Sequence, residues 1–149
     1  MEHFAADRPE QYIEHLIHLD TQKAPHGIDL TVDAVFSVDS AGSLDFGGSE
    51  FQPADRSELP PQSRSEDDDY GWWELDEGTY LVRYNETIDP GEGLAVIRPL
   101  DRLASTGAFH PSMCVSADDN GPLEIALRVP EVGVNIKENA RVSRAVVYE

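Results

Sequence analysis

Lysine is nearly missing from this chain. Only Lys23 and Lys137 occur, and the eleven Lys plus Arg face twenty-nine Asp plus Glu, for a formal net charge of −18 at pH 7. A surface so short of positive charge repels nucleic acid and anionic lipid, which excludes both as partners. Carboxylates without lysine suit a cytoplasm rich in salt, where screening weakens self-repulsion and the acidic groups keep the protein hydrated. The other reading is an ordinary acidic domain with no salt adaptation. Cysteine is almost absent too: Cys114 stands alone, so no intramolecular disulfide forms and a reducing compartment is expected. Because it lies in an apolar run and no recognised Cys-His motif accompanies it, it reads as a core thiol. No charged start is followed by a long apolar stretch, so neither signal peptide nor membrane span is expected.

Several chemical signatures are also missing. There is no Gly-rich phosphate loop ending in Lys-Ser/Thr, no Gly-x-Gly-x-x-Gly and no Gly-x-Ser-x-Gly. His15 and His18 lie three apart, but zinc requires three or four ligands and no Cys/His cluster accompanies the pair. The expected metal-ligand set is therefore none. A length of 149 residues favours one domain, 1–149, around one core.

What is present is mostly strand-like. Near the start, Asp7 with Glu10 resembles a capping box around Pro9, and Tyr12, Ile13, Leu16 and Ile17 recur at helical spacing, which predicts one N-terminal helix. The period then falls to two in Ile28-Asp29-Leu30-Thr31-Val32-Asp33-Ala34-Val35-Phe36, the pattern of a strand. Residues 37–70 turn to Gly, Ser, Pro and acid, and read as a long irregular insertion with a short strand at Leu44 to Phe46. Such a segment is a lid, a partner contact or solvated padding, and padding is the expectation. Further strands are predicted at 72–75, 79–84, 94–97, 112–117, 123–129, 132–136 and 142–148, separated by turn residues. Short strands at this spacing predict a mainly β sandwich or distorted barrel.

Some of these residues form a familiar series. Gly27-Ile28-Asp29-Leu30 resembles the opening Gly-x-Asp-Leu signature of the dCTP deaminase and dUTPase superfamily. Leu75 to Leu81 is similar to that family's Leu-x-Pro-Gly turn into a strand, and Pro90 through Arg98 to the approach to its Arg-Ser-Ser phosphate clamp. Leu123-Glu124-Ile125 resembles the Leu-Glu-Leu strand after the base-binding hairpin, and Ala140 to Val146 the closing Gly-x-Arg-Ile-Ala-Gln-Leu strand. The matches fall in the family's order and cover about residues 10–149, apart from the insertion.

The resemblance implies a β-clip fold, a homotrimer with pockets at subunit boundaries, and a deoxypyrimidine triphosphate substrate. It implies dUTP cleavage to dUMP and pyrophosphate, with Mg²⁺ carried on the substrate phosphates. A dCTP deaminase-like activity and a catalytically silent β-clip nucleotide-binding or interaction module are the alternatives. Carried over by position, Arg98 holds phosphate with Arg102 as a candidate helper, Asp29 belongs to the opening signature, Asp118 or Asp119 orients the attacking water, and Glu124 matches the deaminase glutamate. Each also has a plainer reading. Arg98 is a strand-end cation, Asp118-Asp119-Asn120-Gly121 is good turn chemistry, and Glu124 is one solvent-facing position of an alternating strand.

Two departures bear on chemistry. Pro99 and Leu100 stand where the family has serines, so Pro99 supplies no N–H and Leu100 no hydroxyl. Arg144 stands where the family has glutamine.

Overall fold

A computed structural model describes residues 4–119 and 121–149. A 3₁₀ turn at Pro9–Tyr12 leads to β1 (Ile13–Glu14), α1 (Leu19–Gln22) and β2 (Lys23–Ala24). The long β3 (Gly27–Val38) follows, then β4 (Arg56–Glu58), β5 (Trp72–Leu75), β6 (Gly78–Tyr84), β7 (Thr87–Ile88) and β8 (Leu94–Pro99). A short helix, α2 (Asp101–Ser105), precedes β9 (Met113–Val115), β10 (Glu124–Val129), β11 (Val134–Lys137) and β12 (Arg141–Tyr148).

The main sheet runs β10-β6-β3-β12-β8-β9, with β2 and β4 also pairing with β3, and every pairing is antiparallel. Strand β3 organises it. Its first half, Gly27 to Thr31, pairs with β12, whereas Val32 to Ser37 pairs with β6. Register shifts in both ladders fall at this change of partner, so the sheet curls there and encloses the core. Ile28, Leu30, Val35, Ile97, Leu127 and Val147 are buried in that core, and two-stranded sheets β1–β7 and β11–β5 close its sides. The expected mainly β, β-clip-type distorted barrel is the architecture observed.

The N-terminal helix takes a different form. Instead of one helix over the Tyr12 to Ile17 stripe, the chain makes a 3₁₀ turn, a two-residue strand and a single α-turn. Ile13 pairs across the sheet with Ile88, the Tyr12 carbonyl accepts from the Asp89 N–H, and His15 adopts a left-handed φ of 68° that no helix continues through. Ile17 remains 52% exposed, so the apolar spacing never becomes a buried stripe. His18 serves the backbone: its Nδ1 accepts from the Thr21 N–H and caps α1.

The 37–70 segment lacks the strand expected at Leu44 to Phe46, where only an isolated bridge joins Ser43 to Gln52. It does contribute β4, and acidic side chains tie its turns. Asp45 accepts from the Gly48 and Glu50 N–H groups, Asp68 from those of Arg64 and Ser65, and Asp39 bonds to the hydroxyls of Ser37 and Ser57. Cys114 is exposed on β9, in place of the core position expected of it. The run around it alternates, and Val115, not Cys114, takes the inward position.

Candidate functional site: an arginine cleft and a second cavity

Three adjacent strands bring Asp29, Arg144 and Arg98 into one row. Arg144 on β12 lies opposite Asp29 on β3 and opposite Arg98 on β8, so the three side chains share a face. Asp29 is only 3% exposed, a buried carboxylate in the half of β3 where strict alternation would have sent polar groups to solvent. Two guanidinium groups compensate it. Arg144 Nε donates to Asp29 Oδ1 at 2.8 Å and Arg141 Nη1 to Oδ2 at 3.2 Å. Arg141 also donates to the Thr21 carbonyl at 3.0 Å, which ties α1 to this row.

Arg141 and Arg144 are three apart, a spacing that places strand residues on opposite faces. The bulge resolves this: Arg141 pairs with Thr31 but Ser143 with Leu30, so β12 carries an extra residue between them and both arginines reach Asp29.

Around this row lies a cavity of about 230 Å³, lined by Asp29, Arg98, Leu100, Asp101, Arg102, Arg141 and Arg144. Four guanidinium groups against two carboxylates leave it positive in a chain of formal charge −18. Arg98 and Arg102 are exposed and, among the described residues, form no ion pair, so both have donors for a ligand. The backbone beside Arg98 offers little: Pro99 has no N–H, and the Leu100 N–H donates to the Val142 carbonyl at 3.0 Å. An anion here is held by guanidinium forks, which suit phosphate oxygens by charge and geometry.

The hairpin carboxylates lie around a separate cavity of about 340 Å³, lined by Thr87, Ile88, Met113, Cys114, Val115, Asp119, Gly121, Pro122, Leu123 and Glu124. Asp119 Oδ2 accepts from the Ser116 N–H at 2.7 Å and its hydroxyl at 3.3 Å, the arrangement of a turn-forming aspartate. Asp118 is exposed beside it. Glu124 is not the open solvent-facing residue of an alternating strand: both its oxygens accept from Arg56 Nη1, each at 3.0 Å. The fold thus gathers Asp29, Arg98 and Arg102 at one cavity and Asp119 and Glu124 at another.

Sequence reasoning did not place Arg56 or Arg141 at a site. Arg141 is reached only through the bulge, and Arg56 sits in the segment whose composition predicts padding. It also missed two buried polar networks. Glu86, fully buried, accepts from the Thr31 N–H, the Thr31 hydroxyl and Gln22 Nε2 at 2.8, 2.6 and 2.9 Å, joining β3 to the N-terminal segment. In the second network His110 Nδ1 lies 2.8 Å from the Pro111 carbonyl and Nε2 lies 2.8 Å from Ser143 Oγ, itself 2.5 Å from the Tyr84 hydroxyl. A carbonyl only accepts, so Nδ1–H donates to it, Ser143 donates to Nε2, and Tyr84 donates to Ser143. This serine–histidine pair is structural, since Ser143 is fully buried. Burial holds the His110 imidazole below its ordinary pKa and pushes the Tyr84 phenol up.

No family model matches the chain. It is 31% identical over 138 residues to a probable deoxyuridine 5'-triphosphate nucleotidohydrolase of Methanosarcina acetivorans, covering 91% of this chain and 77% of that protein. A protein of the same description from Archaeoglobus fulgidus is 30% identical over 139 residues, covering 92% and 78%. One from Halobacterium salinarum is 31% identical over 129 residues, covering 86% and 76%. Among solved structures, a 2'-deoxycytidine 5'-triphosphate deaminase from Agrobacterium tumefaciens superposes with a TM-score of 0.62 at 15% identity, over 93% of this chain and 44% of that one, a likeness of fold. Sequence likeness over nine-tenths of its length, and a shared curled β architecture, make this chain a member of the deoxyuridine triphosphate nucleotidohydrolase family, within the dCTP deaminase and dUTPase superfamily.

Proposed function

We propose that the protein is a dUTPase-like deoxypyrimidine triphosphate pyrophosphatase that cleaves dUTP to dUMP and pyrophosphate. The observation that carries this reading is the cleft of Arg98, Arg102, Arg141 and Arg144, a cationic site in a strongly acidic chain. In the reaction a water oxygen bonds to the α-phosphorus, the bond from that phosphorus to the α–β bridging oxygen breaks, and pyrophosphate leaves with the bridging oxygen. Exposed Arg98 and Arg102 take the leaving phosphates, and Arg144, held by Asp29, keeps one fixed positive edge beside them. A hairpin carboxylate, Asp118 or Asp119, brought to the arginine cleft from an adjoining subunit because its own cavity is separate, orients the water and accepts its proton.

Among the described residues no group of three or more His, Cys, Asp or Glu side chains could hold a metal ion. Magnesium fits as a companion of the substrate, bound by nucleotide phosphate oxygens and neutralising their charge. The same reading carries a homotrimer with pockets completed between subunits, and a site of action in a salt-rich cytoplasm. No helix among the described residues is long and apolar enough to cross a membrane.

A second reading, a silent nucleotide-binding relative, is favoured by one observation: the clamp has lost its backbone and hydroxyl donors, and the Leu100 N–H is spent on Val142. Two missing charge-assisted bonds, each worth about 1.5 to 3 kcal/mol, amount to roughly a hundredfold or more in phosphate stabilisation. Deaminase-like chemistry is opposed by the Arg56 contact, which pins Glu124 by both oxygens: each keeps a lone pair to accept a hydrogen bond, but the side chain is not free to carry a proton from water to base. Purified protein incubated in concentrated KCl with Mg²⁺ and each deoxynucleoside triphosphate, followed for pyrophosphate and ammonia, separates the three. The proposal expects pyrophosphate from dUTP. Neither product, from protein that is folded, would overturn it.

A further inference from the structure

The segment 37–70 matches nothing in the family's motif order, yet it supplies the residue that touches Glu124. Arg56, first residue of β4, is held twice over. Its backbone pairs with Val38 on β3, and its guanidinium carbon lies 4.2 Å from the centroid of the Phe36 ring. From this support Nη1 reaches both Glu124 oxygens. Arg83, opposite Glu124 across the β6–β10 ladder, is engaged elsewhere, by Asp33 at 2.9 Å and Glu58 at 3.7 Å. Among the described residues Arg56 is thus the only cation paired with Glu124.

Ile88, Met113, Val115 and Leu123 give the adjoining cavity apolar walls, and Glu124 gives it a polar edge. A flat apolar ring with an N–H on its rim fits that chemistry, because an ionised carboxylate accepts hydrogen bonds and never donates them. Uracil presents such a donor at its ring N3. Cytosine presents donors of its own at the exocyclic amino group, beside a lone pair at N3, so a carboxylate accepts from either base at a different atom and the place where it is pinned decides which base fits better. A bare glutamate would also repel the nucleotide's phosphates, and a guanidinium 3.0 Å away offsets its charge.

We propose that Arg56 is a positioning and specificity-determining residue, holding Glu124 as a fixed, charge-compensated acceptor whose placement sets the choice between uracil and cytosine. The inference rests on reading the protein as one that binds pyrimidine nucleotides. Titration calorimetry of the full chain in concentrated KCl, with dUMP and with dCMP, tests it on the wild type, Arg56→Gln and Arg56→Lys. On the dUTP-cleaving reading the wild type is expected to prefer dUMP. Arg56→Gln is expected to lose about tenfold in dUMP affinity and to bring the dUMP-to-dCMP ratio towards one. Arg56→Lys, which keeps a cation able to bridge both oxygens, is expected to restore most of both. A folded Arg56→Gln protein with unchanged dUMP affinity overturns the proposal, and so does one whose two affinities fall equally, since that outcome marks a merely structural residue. A wild type that binds dUMP selectively but releases no pyrophosphate from dUTP sinks the hydrolase reading and leaves the role of Arg56 standing.

Discussion

Asp29 shows how much one side chain decides here. It is buried, and its compensation comes from two arginines that are only partly so, at 27% and 32% side-chain exposure. Removing its charge strands both guanidinium groups beside a buried amide. Asp29→Asn is expected to destabilise the protein by about 2 to 4 kcal/mol, the range for breaking a buried pair moderated by the exposure of its partners. Denaturant unfolding at constant KCl checks this, and a loss below half a kilocalorie would contradict it. His110 supports a second prediction. Its folded pKa is depressed by burial, so the unfolded chain takes up a proton first as pH falls. Its contribution is present above the ordinary imidazole value of 6.5 and is lost as pH drops below it. Melting temperature is expected to fall between about pH 7 and pH 5 in the wild type and to fall less in His110→Gln, which keeps polar atoms near Ser143 without an ionisable ring. Parallel melting curves for the two proteins would remove His110 as the cause.

At the scale of elements, the pairing of β8 with β12 holds Arg98 beside Arg144. The ladder starts at Leu94 opposite Tyr148, and Gly93 sits just before it against the last residues of the chain. A Cβ on Gly93 would lie 1.9 Å from the Tyr148 carbonyl oxygen, a backbone atom that cannot swing aside. Gly93→Ala is expected to cost about 1 to 3 kcal/mol as an overpacked contact and to loosen that end of the ladder. Hydrogen exchange of the Leu94 to Ala95 amides would report it, and unchanged protection would contradict it.

The elements that sequence made legible are those whose burial follows a simple period. β3, β6, β8, β10 and β12 fall close to their expected runs because alternating or continuous apolar residues match a half-buried or buried strand. The N-terminal stretch misled because helical spacing says nothing about cross-strand partners: Ile13 pairs with Ile88, far away in sequence, and the left-handed His15 ends any helix. The site was half legible. Motif order placed Asp29, Arg98 and Glu124 at cavity walls, but a β-bulge brings in Arg141 and a composition-poor segment brings in Arg56, and neither leaves a periodic trace.

Charge sets the behaviour of the whole molecule. With a formal −18 on 149 residues, self-repulsion opposes the compact state, and salt screens it within about 8 to 10 Å at moderate ionic strength. Raising KCl from low to high concentration is expected to raise the melting temperature by several degrees, read by circular dichroism. A curve independent of salt would contradict the view that repulsion limits stability. Against this negative background the arginine cleft stands out as the place where an anion is welcome, and the proposed hydrolysis depends on it. The most direct test is titration of a nonhydrolysable dUTP analogue, at one fixed KCl concentration, into the wild type and into Arg98→Gln/Arg102→Gln, a pair of exposed side chains with no ion pairs to lose among the described residues. A cleft that holds the phosphates predicts an unchanged melting temperature and at least about tenfold weaker binding in the double variant; equal affinity in the two proteins would contradict it.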